Sequence, residues 1–458
     1  MDSANEPSQP GNSVSVAPAP VDFRLACAYW LRLGLISFGG PAGQISIMHQ
    51  DLVERRRWIS ERRFLHALNY TMLLPGPEAQ QLATYIGWLM HGTLGGLVAG
   101  GLFVLPSLVI MITLAWIYVA HHDLPLVAGL FYGVKPAVIA IVLAAAHRIG
   151  SRSLTTPFAR GIAVLAFLAL WLGHVPFPWI IASAGLAGFL VARSRPDWLK
   201  VVAGHAGAER HYGPALIDDH TPVPSHANFS WRRAIVLATA GLLMWAVVLS
   251  LMFWQTGWQG TFTQMAWFFT KAALLTFGGA YAVLPYVYQG AVLEFHWLTA
   301  TQMIDGLALG ETTPGPLIMI VAFVGFIGGW NALPFAPHTP VLAAVAGACT
   351  ATFFTFLPSF IFIFVGAPAV EATRHELRIS APLAAITAAV VGVVLNLALF
   401  FAQHVLWPRG MDGPVDLPSV VLALVAGLLL FRFRLGIIPL IAGSGAIGMA
   451  LTLTGVVA

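Results

Sequence analysis

The chain has 458 residues, 58% of them hydrophobic and 9% charged, with a mean hydropathy of +0.79 and a formal net charge of +4. A soluble domain carries about a quarter charged residues, so this composition argues against a water-soluble enzyme. Long continuous apolar runs exclude a transmembrane β-barrel, whose strands alternate, and basic residues gathered in short loops leave no nucleic-acid footprint. Residues 1–21 are polar and Pro-rich (Pro7, Pro10, Pro18, Pro20), with no basic start and no apolar run. They read as a disordered tail, not a signal peptide. Segment 22–48 is apolar and broken at Phe38-Gly39-Gly40-Pro41; a loop, 49–63, follows with Trp58. Segment 64–92 is broken at Pro75-Gly76-Pro77, and apolar segments at about 93–120, 124–146, 161–175 and 177–193 complete a first transmembrane repeat, 22–193. A polar linker, 194–232, rich in His, Pro and Asp, leads to an apolar connecting helix, 233–254. The second repeat, 255–458, is broken at Phe277-Gly278-Gly279 and at Pro314-Gly315-Pro316, with apolar segments at about 340–366, 382–404, 418–431 and 436–456.

The repeats share one register. Ser37-Phe38-Gly39-Gly40 recurs as Thr276-Phe277-Gly278-Gly279 (277 − 38 = 239), and Trp58-Ile59-Ser60 as Trp297-Leu298-Thr299 at the same offset. Pro75-Gly76-Pro77 and Pro314-Gly315-Pro316 keep it too, and Leu105-Pro106-Ser107 returns as Leu357-Pro358-Ser359 after a Pro-rich insertion. The charges of matched loops are opposed. Loop 49–63 has five arginines against three acids, whereas 289–305 has only Glu294 and Asp305. Loop 147–160 has Arg148, Arg152 and Arg160 and no acid, whereas 405–417 has Arg409 against Asp412 and Asp416. Lys and Arg collect in cytoplasmic loops, so the halves read as inverted-topology repeats, with the linker and the Trp58 loop inside and the Trp297 loop and C-terminus outside. The fold expected is an all-α integral membrane protein whose Pro/Gly-broken segments form re-entrant helical hairpins. Each arm is too short to span the bilayer at about 1.5 Å per residue.

Broken backbone at membrane depth is tolerated only inside protein or beside a wet cavity. After each break a half-helix begins, with Pro41 and Pro77 placed at its first position, where the missing N–H costs nothing. The free N–H groups and positive dipole ends of four such half-helices would form an anion site, with Gly39, Gly40, Gly76, Gly278, Gly279 and Gly315 lining it. Packing kinks are the simpler reading of any one break. Arg32 and Lys271 occupy one repeat position, each seven residues before the first Gly of its tip, and would flank an anion path. Snorkelling to the interface is their alternative. Lys135 is a third cation of this kind. Glu78 and Glu311, beside the two Pro-Gly-Pro turns, are proton-coupling candidates, because a carboxyl withdrawn from water holds its proton to higher pH; helix capping is the alternative for Glu78. Arg55, Arg56 and Arg57 would attract anions to a cytoplasmic mouth, although topology alone accounts for them. Cys27 and Cys349 both lie in apolar stretches, so neither a disulfide nor a cysteine-ligated metal is expected, and the His residues show no ligand spacing. No metal, cofactor or catalytic nucleophile is expected.

The strings Ser37-Phe38-Gly39-Gly40-Pro41, the Arg-rich loop ending in Trp58, and Pro75-Gly76-Pro77 with Gln81, Tyr85 and Gly87 closely resemble the first domain of the chromate ion transporter family in its long, two-domain form. Thr276-Phe277-Gly278-Gly279-Ala280-Tyr281, Trp297 and Thr313-Pro314-Gly315-Pro316 resemble its second. The resemblance covers roughly 23–193 and 233–456. It implies a multi-pass protein of the inner membrane that exports chromate in antiport with protons, driven by the proton motive force, and confers chromate resistance. The residues alone reach only a carrier for a small oxyanion, with protons and lipid as its other partners. Uptake or exchange of sulfate, a non-transporting sensor or scaffold, and a homodimeric assembly stay open.

Overall fold

The computed structural model describes residues 18–38, 40–121, 124–194, 212–219, 221–222, 224–332, 339–373 and 380–455. Among them there is no strand, only an isolated bridge between Ile59 and Ile217. The first half runs α1 (Phe23–Ile36), α2 (Gly40–His49), α3 (Glu61–Leu73), α4 (Glu78–His121), α5 (Pro125–Ser153), α6 (Pro157–Trp171) and α7 (Phe177–Ser194). A single helix, α8 (Trp231–Thr256), connects it to the second half. That half runs α9 (Thr261–Leu275), α10 (Ala280–Tyr288), α11 (Ala300–Thr312), α12 (Ile320–Ala332), α13 (Pro340–Thr373), α14 (Ser380–Leu406), α15 (Leu417–Phe431) and α16 (Ile437–Leu453). The helices pair in order, α1 with α9 through α7 with α16, once α12 and α13 together are set against α4. The long α4 is itself two helices joined at a kink, His91 (φ −135°) and Gly92 (φ 67°), where the sequence segments 64–92 and 93–120 meet.

The repetition extends to local backbone. α2 and α10 both pass into a wide π-turn, Gln50–Arg55 and Gln289–Glu294. Arg57 and His296 then take the same left-handed conformation, φ 52°. The Trp58 N–H donates to the Leu52 carbonyl and the Trp297 N–H to that of Ala291, each at 2.8 Å. Ser60 caps α3 by accepting from Arg63 N, and Thr299 caps α11 by accepting from Gln302 N, which satisfies donors that a helix start leaves free. The shared Trp-aliphatic-Ser/Thr string therefore writes a turn and a cap.

Among the described residues, six helices are long and apolar enough to cross a membrane: Glu78–His121, Pro125–Ser153, Phe177–Ser194, Trp231–Thr256, Pro340–Glu371 and Ala381–Leu406. Their outer faces carry large apolar side chains. On α8, Ile235, Leu242, Val247 and Trp254 are exposed and Ala234 is buried, as a helix facing hydrocarbon requires. The chain is an all-α, multi-pass membrane protein. At its centre α5 packs on α14, α15 and α16, while α14 packs on α6 and α7, so each half's long helix is seated on the other half's last pair.

Several sequence expectations change. α5 continues through His147–Ser153, because Arg148 and Arg152 extend a helix that hydropathy alone ends too early; they belong to its last two turns, not to a loop. Asp305, counted with the loop after Trp297, is a buried residue of α11. Pro77 stands just outside α4, its carbonyl accepting from Gln81 N at 3.0 Å, so it caps the helix instead of opening it. The described part of the linker is packed on the first half. Leu216 and Ile217 donate to the carbonyls of Arg57 and Trp58 (2.9 and 3.0 Å), and Ser60 N donates to Ile217 O (3.0 Å). Ser60 Oγ donates to Asp219 (2.6 Å), and Arg63 donates to the Thr221 carbonyl (2.8 Å). The 1–21 tail, apart from residues 18–21, lies outside the described residues.

Candidate functional site

Helix α1 ends at Ile36 and α9 at Leu275, where the chain turns through Ser37-Phe38 and Thr276-Phe277 toward glycines that no helix tolerates well. α3 ends at Leu73 and α11 at Thr312, ahead of prolines that remove a backbone donor. The four breaks meet in two crossed pairs. Gly76 N donates to the Thr276 carbonyl at 2.8 Å, and Gly315 N donates to the Ser37 carbonyl at 2.7 Å. Ser37 corresponds to Thr276 and Gly76 to Gly315, so the two bonds are one bond repeated, each joining one half to the other. Gly40, Gly76, Gly278, Gly279 and Gly315 all have positive φ (70°, 122°, 79°, 98° and 102°). Gly39 lies outside the described residues.

The turns are walled by side chains that entered the sequence argument only as repeat or family markers, or not at all. Ser37, Gln44 and Ser107 lie around Gly315, and Thr276, Gln81 and Ser359 around Gly76; all six are buried. Gln44 Nε2 donates to the Gly315 carbonyl. Gln81 Nε2 donates to the Pro75 carbonyl (2.8 Å) and to Ser359 Oγ (3.2 Å). The match of Ser107 with Ser359 at the second offset was the signal that could have found them.

Among the described residues, the second half supplies three buried carboxylates, each met by a tyrosine. Tyr281 donates to Glu311, Tyr85 to Glu371 at 2.6 Å, and Tyr118 to Asp305 at 3.0 Å. A first-half cation faces each cluster: Arg148 for Glu311, Arg63 for Tyr85 beside Glu371, and Lys135 at 3.5 Å from Asp305. Glu311 is thus in a polar cluster that borders its tip. Lys135 holds a carboxylate instead of facing an open path. Glu78 is half-buried in the first turn of α4, at the positive end of that helix.

Among the described residues, neither Arg32 nor Lys271 makes a hydrogen bond to a turn residue. Arg32 is exposed on α1, on the face with Leu31, Leu35 and Ile36, and Lys271 is half-buried on α9; neither makes an ion pair with a described acid. If they flank the path, Arg32→Gln and Lys271→Gln each cut anion transport several-fold at equal expression, with Arg32→Lys and Lys271→Arg milder; flux equal to the parent's in both Gln variants makes them interface anchors. Of the loop arginines, Arg55 pairs with Asp51 (3.2 Å) and Arg56 lies over the rings of Tyr29 and Trp58 (5.0 and 5.1 Å). Arg57 contributes its carbonyl to the linker. Among the described residues no group of His, Cys, Asp and Glu has the arrangement of a metal site.

A family model described as "Chromate transporter" matches residues 25–189 and 263–449. The chain is similar to the "Chromate transport protein" of Pseudomonas aeruginosa, 32% identical over 462 residues, covering 98% of both chains. It is also similar to the "Chromate transport protein" of Cupriavidus metallidurans, 30% identical, covering 97% of this chain and 98% of that one. The "Probable chromate transport protein" of Synechococcus elongatus is 29% identical over 89% of each chain. No solved structure matches.

Proposed function

The chain belongs to the chromate transporter family, and on that premise we propose that it is a secondary carrier which exports chromate across the cytoplasmic membrane, driven by the proton motive force. The observation that carries this reading is the pair of reciprocal bonds between the chain breaks of opposite halves. It gives the molecule a polar, buried, two-part centre built from turns and hydroxyls, followed in sequence by the start of α4 at Glu78 and, after a 3-10 turn Leu317–Met319, by the start of α12 at Ile320. Such starts attract an anion. Glu311, tied to Tyr281 and faced by Arg148, is the proposed site of proton coupling, with Glu78 as the second candidate. Export rests on the family resemblance alone. Purified protein in proteoliposomes should accumulate labelled chromate by counterflow, with sulfate as a weaker competitor, and a pH gradient should drive net flux. Sulfate counterflow without chromate counterflow favours the oxyanion-exchange reading, and no flux of either leaves a sensor or scaffold.

The two halves are proposed to be inverted in the membrane, with the breaks as tips of re-entrant hairpins. The arms of 14, 13, 15 and 13 residues in α1, α3, α9 and α11 support this. At about 1.5 Å per residue each is roughly 20 Å long, against the 30 Å of a bilayer core. Cysteines introduced at Ser60 and Thr299 should then react with a membrane-impermeant thiol reagent from opposite sides. Reaction from one side alone would defeat the inversion.

A further inference from the structure

The two crossed turns are equivalent in backbone but not in the hydroxyls around them. At Gly76, the Thr276 hydroxyl donates to the Ala272 carbonyl (2.6 Å), and Ser359 Oγ accepts the Gln81 amide (3.2 Å), which fixes its position but leaves its own proton undonated, so this side offers at most one free donor. On that side the amide oxygen of Gln81 is also left without a partner, and it repels an anion. At Gly315 the matched hydroxyls are both unpartnered. Ser37 Oγ and Ser107 Oγ make no hydrogen bond, and both residues have no exposed surface. Both lie against the turn: Ser37 through its carbonyl, 2.7 Å from Gly315 N, and Ser107 with its Oγ 2.8 Å from where a Gly315 side chain would begin. The acceptor that would oppose an anion here, the Gly315 carbonyl, is occupied by Gln44 Nε2, although Gln44 Oε1 stays unpartnered. Val283 stands at the position of Gln44 in the other half, so this device exists once.

A buried hydroxyl without a partner is unfavourable, and natural proteins leave few of them. Two at one turn, ahead of the helix Leu317–Ala332, form a donor pair with no protein acceptor. We propose that the Gly315 turn is the oxyanion-binding subsite, where Ser37 and Ser107 hydroxyls donate to two oxygens of one tetrahedral oxyanion, and that the matched Gly76 turn does not bind. This rests on the carrier reading above and deepens it. Neutral donors at a helix start grip a dianion without a fixed ion pair that would have to be broken for release.

The test is equilibrium binding of labelled chromate and, separately, labelled sulfate to the detergent-purified protein. Each of Ser37→Ala, Ser107→Ala and Ser359→Ala is checked for a monodisperse profile and an unchanged melting temperature. Hydrogen bonds to charged groups are worth roughly 1.5–3 kcal/mol, so each of the first two should weaken binding about tenfold or more. Ser359→Ala, an equally buried change of the same size, should stay within about twofold. Loss of binding in Ser359→Ala equal to that in Ser107→Ala, or parental affinity in both Ser37→Ala and Ser107→Ala, overturns the assignment. A parent that binds sulfate but not chromate refutes the chromate reading alone, and the three variants are then compared with sulfate. A parent that binds neither overturns both.

Discussion

Valine at Gly76 or Gly315 is expected to abolish chromate transport while the protein still reaches the membrane. Both glycines have φ above +100°, a region that β-branched residues avoid. A Cβ on Gly76 would meet Ser359 Oγ and, at 2.7 Å, Gln81 Nε2; on Gly315 it would meet Ser107 Cβ and Oγ at 2.6 and 2.8 Å. Strain of about 1–3 kcal/mol per site is tolerable for a large helical protein. The turn, however, must move, and with it the bond to Thr276 or Ser37 that joins the halves. Gly161 on α6 has open space at its Cβ and is the control: Gly161→Val should transport normally. Counterflow in proteoliposomes, with membrane-fraction yield measured alongside, decides the matter. Normal flux through both tip variants refutes a central role for the turns.

The second large effect is on stability. Lys135→Met leaves Asp305, only 2% exposed, without its cation. Removing one partner of a buried pair typically costs about 3–5 kcal/mol, because the surviving charge is uncompensated. The melting temperature in detergent should fall by several degrees and the yield with it. Adding Asp305→Asn removes that charge while keeping an oxygen for the Tyr118 hydroxyl, so the double variant should recover most of the loss. A single variant as stable as the parent, or a double variant no better than the single, shows that the pair contributes nothing.

Much of this architecture is legible in the sequence because it is written twice. Ser37 and Thr276, Trp58 and Trp297, and Gly76 and Gly315 announced the register, and matched turns and caps follow from it. Broken helices were readable because Pro and Gly act locally. What stayed hidden depends on which distant residue comes near. Asp305 looked like a loop acid because it follows the Trp297 loop within a few residues, and only the approach of α4 and α5 shows it to be buried. Ser107 and Ser359 carry identical motifs, yet one is tied by Gln81 and the other is not, a difference set by a side chain on another turn. The linker looked solvent-bound from its polarity. Its Leu216-Ile217 pair, two apolar residues among polar ones, was the small sign that it docks on the Trp58 turn.

The crossed bonds at the chain breaks also constrain how the molecule is made. The ribosome releases the first half, with its Gly76 N–H and Ser37 carbonyl, long before Thr276 and Gly315 exist. A backbone group withdrawn from water without a partner is costly, so the early half cannot settle with its turns buried as they finally are. It has to wait, wetted, for partners delivered 200 residues later for Gly76 (276 − 76) and 278 residues later for Ser37 (315 − 37). Completion of the second half then closes both turns in one step, and neither half is a finished unit by itself. Biosynthesis, not only the transport cycle, must therefore pass through a state in which the centre of the protein is open.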